Sequence, residues 1–123
     1  MDLAMQIIVG VFGVAFAALG VRSMFMPKNM GEDRGLSPTG IAGLREIRAV
    51  FGGFFLACVT MLVLGLATGE TLWFLAVAIL MGAVVIGRLV GIVADGFDKA
   101  VLPNLVAEIV IGGGLVTAHF VLG

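Results

Sequence analysis

The sequence predicts an all-α integral membrane protein, a four-helix bundle of transmembrane helices built as two similar hairpins. Three observations carry that expectation. Hydrophobic residues make up 61% of the 123 positions and charged ones only 12%. A soluble domain of this length leaves too much of its surface in water to hide such a composition, so lipid must cover the outside. The apolar residues gather into four segments, each near the ~20 residues that a helix needs to cross a bilayer. All seven Lys and Arg residues lie on one side of the folded pattern.

The first span is expected over 3–25. The chain opens Met1-Asp2-Leu3 with no basic n-region, so this stretch reads as a retained span rather than a cleaved signal. Met26-Pro27 opens a loop rich in glycine, proline and charge that runs through Gly43. The second span is expected over 44–67, and Thr68-Gly69-Glu70-Thr71 makes a tight turn. The third runs over 72–94 and the fourth over 104–122, with Pro103 suited to a first helical turn. Runs this long and apolar are helices, because lipid leaves no partner for an unpaired backbone group. A single transmembrane domain therefore fills 1–123.

Arg22, Lys28, Arg34, Arg45 and Arg48 flank the first loop, and Arg88 and Lys99 flank the third. By the positive-inside rule those loops face the cytoplasm. Both termini and the 68–71 turn then face outward, with Trp73 at the outer interface. Multi-pass insertion in an inner, cytoplasmic membrane is the expected location.

Depth separates the charges. Leu72 to Arg88 spans about 24 Å of helix and Glu108 to Leu122 about 21 Å, against a hydrocarbon core of about 30 Å. Both charges therefore fall within the inner leaflet. They are opposite in sign, similar in depth and on consecutive helices, so they should pair. Asp95 lies two turns below Arg88 and can join them. Glu46 lies beside Arg45 and Arg48 and within range of Arg22 or Arg88. Together Arg22, Arg45, Glu46, Arg48, Arg88, Asp95 and Glu108 form the one concentrated set of polar groups. Ionisable residues in a membrane mark a functional site by default. Two roles stay open for them: a clasp that fixes helix order, or a site for an anionic head group.

The two hairpins share a pattern. Gly20-Val21-Arg22 is echoed by Gly87-Arg88, and Glu46-Ile47 followed by Gly52-Gly53 is echoed by Glu108-Ile109 followed by Gly112-Gly113-Gly114. A parallel repeat would make Arg22–Glu46 the counterpart of Arg88–Glu108. Ala83, Gly87 and Gly91 are spaced by four, as in small-residue helix contacts, and Gly52 and Gly53 offer a second close-packing point. Gly10, Gly13 and Ala17 make a weaker stripe. The two glycine-rich points can also loosen their helices.

Other chemistry is sparse. Cys58 is single, which excludes an internal disulfide or a CxxC site. His119 is the one histidine and has no second ligand at metal or haem spacing. The 31–43 loop lacks the ending of a phosphate loop. No catalytic residues, cofactor or metal are expected. A net charge of −1 without a basic groove excludes nucleic acid. Membrane lipids, another membrane protein or a second copy of the chain are the expected partners.

Gly43-Leu44-Arg45-Glu46-Ile47-Arg48-Ala49-Val50-Phe51-Gly52-Gly53, followed by Gly87-Arg88-Leu89-Val90-Gly91 and Asp95-Gly96, resembles a bacterial family of four-helix membrane proteins. That family carries only a domain-of-unknown-function label. The resemblance covers nearly the whole chain. It implies the four-helix fold and importance for Arg48, Arg88, Asp95 and Glu108, and it supplies no activity. The architecture is also loosely similar to that of DoxX-like proteins. A non-enzymatic accessory or ligand-holding module is the leading expectation. A small transporter is the alternative, although helix one lacks the glutamate of the small multidrug exporters. A quinone- or lipid-handling subunit comes third.

Overall fold

The computed structural model of the protein describes residues 2–123. Among them every regular element is helical: α1 (Leu3–Phe25), α2 (Pro27–Asp33), α3 (Gly40–Thr68), α4 (Leu72–Asp95) and α5 (Val101–Leu122). The four long helices have 23, 29, 24 and 22 residues and mean hydropathies of 1.9–2.4 over their most apolar stretch. At ~1.5 Å per residue each is long enough to cross a bilayer.

Two helices start earlier than the sequence expectation, where Ile41, Ala42, Val101 and Leu102 extend the apolar run toward the N-terminus. α3 begins at Gly40 rather than at 44, and α5 at Val101 rather than at 104. The loop expected over 26–43 contains α2. Pro27 opens that helix, where its missing N–H costs nothing. Gly35 closes it with φ +75°. The Leu36 N–H returns to the Gly31 carbonyl at 2.7 Å, and the Gly35 N–H to that of Glu32 at 3.0 Å. This paired return satisfies the last carbonyls and needs a left-handed residue at its centre.

α3 carries one irregularity, a π-helical stretch over Ile47–Gly52. Ile47 and Gly52 are both buried although five residues apart. A regular helix would place i and i+4 on one face; the wider π turn holds one extra residue.

The described chain gathers into two compact units, one of residues up to Val9 with Leu64–Gly123, the other Gly10–Val63. The Gly10–Val63 unit holds most of the first expected hairpin, and the other holds the second hairpin together with the first residues of α1 and the last of α3. In the Gly10–Val63 unit, Phe16, Ser23, Met30, Ile47, Cys58 and Leu62 are buried. α1 and α3 approach most closely at Gly20, where a Cβ would lie 2.8 Å from the Leu56 Cδ2 and 3.4 Å from its backbone nitrogen. Phe16 stacks on Phe55, which meets Phe54 edge-on.

In the other unit α4 and α5 pack as a hairpin. Phe74, Val77, Ala78 and Met81 recur at helical spacing on the buried face of α4, and Leu115 and Ala118 on that of α5. A Cβ at Gly112 would touch Met81 at 3.4 Å. The Phe74 ring sits on Gly65, where a Cβ would come within 2.5 Å of it.

The outward side chains are apolar: Val93 is 88% exposed, Phe25 75%, Phe120 74% and Val14 71%. Lipid is the solvent that suits such a surface. Hydroxyls within the spans bond back to their own helices, Ser23 to the Leu19 carbonyl at 2.8 Å, Thr60 to Leu56 at 2.9 Å and Thr117 to Gly113 at 2.9 Å. Each of these three hydroxyls thus finds its partner within its own helix.

Candidate functional site

Arg88 lies on α4 two turns beyond Met81, on the stripe that runs through Phe74, Val77 and Met81, and Glu108 continues the Leu115 face of α5 toward its start. The packing that forms the hairpin therefore brings them together. The Arg88 Nε donates to the Glu108 Oε2 at 2.6 Å and the Nη2 to Oε1 at 2.7 Å. This is the bidentate fork that guanidinium and carboxylate geometry favour. The side chains are 26% and 13% exposed, so the carboxylate is the more enclosed partner. Side chains tilt toward a helix N-terminus. In this hairpin Arg88 leans toward the 68–71 end and Glu108 away from it. The two lean across the few ångströms separating their depths.

The other end of the hairpin is tied as well. The Thr71 Oγ1 and His119 Nδ1 lie 3.0 Å apart, joining the residue before α4 to the last turn of α5. His119 thus has a structural partner, and its ring also tilts against Phe120.

The remaining charges do not form the single set expected from sequence. Arg22 pairs with Asp33 of α2, not with Glu46, so the two hairpins are not equivalent in their ion pairs. The reason is α2: folding residues 27–33 back toward α1 supplies a nearer carboxylate. This pair is largely exposed, and such pairs contribute little to stability. Arg48 donates through Nη1 to the Met24 carbonyl. That carbonyl belongs to the last turn of α1, where helix acceptors lack internal partners. A cation there also meets the negative end of the helix dipole. Arg34 lies 5.9 Å from the Phe55 ring centroid, above its face. Arg45, Glu46 and Asp95 are exposed, and among the described residues no side chain pairs with them. Asp95 does not join Arg88, because it ends α4 beside Gly96.

The glycine expectations divide. Gly52 is closed by Met24, whose Cγ would lie 3.0 Å from a Cβ there. Gly53, Gly87 and Gly91 would each meet nothing within 4 Å, and Ala83 is exposed. The stripe Ala83–Gly87–Gly91 is therefore not the surface by which α4 packs on α5. The close-packed glycines are Gly20, Gly31, Gly43, Gly52 and Gly65. Sequence spacing missed most of them because they face larger side chains or backbone, not a second stripe of small residues.

Capping by Arg48 has a direct test. Arg48→Ala is expected to speed hydrogen exchange several-fold at the amides of the last turn of α1, and to leave α5 unchanged. Exchange equal to wild type in that turn would remove the capping role.

No three His, Cys, Asp or Glu side chains among the described residues come together as a metal site. Four long apolar helices with a charged bridge inside one hairpin define a small multi-pass helical membrane protein. The family model described as domain of unknown function (DUF4345) matches residues 4–119, and the chain belongs to that family. No curated protein and no solved structure matches it.

Proposed function

We propose that the protein is a non-enzymatic module of the bacterial cytoplasmic membrane, an accessory or assembly subunit that holds a lipophilic partner against its apolar helices. The observation that carries this reading is the use made of the embedded charges. Glu108 is taken up by Arg88 on both oxygens, and Arg48 by the end of α1. These groups fasten helices rather than stand free for acid–base chemistry. What the chain offers outward from its spans is apolar side chain.

Native mass spectrometry of protein gently extracted from its own membrane tests this. The expected spectrum contains a stoichiometric protein partner or a retained lipophilic molecule. A bare, ligand-free protein that nonetheless drives flux in proteoliposomes would replace this reading with transport, the more so if Glu108→Gln abolished the flux.

The charge asymmetry supports an orientation with both termini and the Thr68–Thr71 turn outside the cytoplasm. In a Cys58→Ala background, Gly69→Cys is expected to react with a membrane-impermeant maleimide in intact spheroplasts. Lys28→Cys is expected to react only after permeabilisation. The reverse pattern would invert the orientation.

A further inference from the structure

α2 and the start of α3 enclose an open cleft of about 440 Å³, lined by Lys28, Glu32, Ser37, Pro38, Ile41 and Leu44. It lies between the end of one span and the start of the next, hence at the membrane boundary. Its lining combines one cation, one anion, a hydroxyl and an apolar wall. Lys28 and Glu32 sit four apart on α2 yet do not pair. Among the described residues neither side chain has an ion-pair or hydrogen-bond partner. Lysine N-terminal to glutamate is the weaker order for such a helical pair. The cleft thus presents both charges unspent. No side chain caps the first turn of α3, whose Gly40 also lines the cleft.

We infer that this cleft holds the phosphoethanolamine head group of a membrane lipid, with Lys28 on the phosphate and Glu32 on the ammonium. The charges match in sign and number. Ser37 can add a hydrogen bond to a phosphate oxygen, and Ile41, 69% exposed, meets the glycerol and upper chain. An anionic glycerol head group would leave Glu32 facing a phosphate with no cation between them. A choline head group carries the positive charge but no N–H to donate. The inference goes beyond the accessory role, since a transporter could hold the same lipid.

The test is native mass spectrometry of the full chain, stripped of partners and exchanged into nanodiscs of phosphatidylethanolamine, phosphatidylglycerol and phosphatidylcholine in equal parts. Phosphatidylethanolamine is expected to be retained about fivefold over either competitor, the size of one charge-assisted contact at an exposed site. Glu32→Gln should erase its lead over phosphatidylcholine, and Lys28→Gln should lower retention of all three. Asp98→Asn, outside the cleft, should change nothing. Both cleft variants should melt as wild type, because neither side chain supports the fold. Equal retention of the three lipids, or a lead that survives both substitutions, overturns the site. Free phosphoethanolamine competing as well as the lipid overturns the lipid as occupant. Because partners are removed beforehand, failure here leaves the accessory role standing.

Discussion

Arg88→Ala and Glu108→Ala are each expected to destabilise the protein by about 2–4 kcal/mol, while the double variant loses less than their sum. Breaking one side of an enclosed ion pair costs about 3–5 kcal/mol in general, because the other charge is stranded. We take a lower range here because Arg88 is partly exposed. With both removed, no stranded charge remains, so the two effects must couple. Arg88→Lys should recover only part of the loss, since an ammonium cannot reproduce the two-pronged contact. Equilibrium unfolding in mixed micelles titrated with sodium dodecyl sulfate measures all four forms. Strict additivity would show that the pair is not coupled in the folded protein.

Gly65→Ala is expected to cost about 1–3 kcal/mol, the usual penalty for adding volume to a filled site. A single methyl would sit 2.5 Å from the Phe74 ring, which is 1% exposed and has little room to turn away. Phe74→Leu alone should also destabilise, by leaving space over Gly65. Combined, the two should partly rescue each other. The same unfolding titration reads the effect. A Gly65→Ala protein as stable as wild type would mean that the contact is slack.

The spans were legible because membrane insertion depends on coarse quantities, apolar length and charge placement, that a sequence displays directly. The Arg88–Glu108 bridge was legible for a related reason: two opposite charges at matched depth in lipid have few alternatives. The charges nearer the interface were not legible. Water and the backbone compete for them there, and Asp33 reached Arg22 only because α2 folds back. Nothing in the periodicity announces α2, whose seven residues are four polar ones with one each of proline, methionine and glycine. Arg48 found a carbonyl rather than a carboxylate, a partner that every residue carries and no sequence pattern marks. The glycine stripe misled because spacing alone does not say which side of a helix a neighbour occupies.

The π turn in α3 has a consequence for how the helix is compared with others. A regular helix advances about 100° per residue. One surplus residue within Ile47–Gly52 therefore puts the portion before it out of phase with the portion after it by about that angle. α3 is two helical wheels joined by a dislocation. Projected on one continuous wheel through Cys58 and Leu62, Arg45 is misplaced by about that angle. Its azimuth is set by the surplus residue, so an insertion or deletion over 49–52 re-aims Arg45 and Arg48 without altering either one.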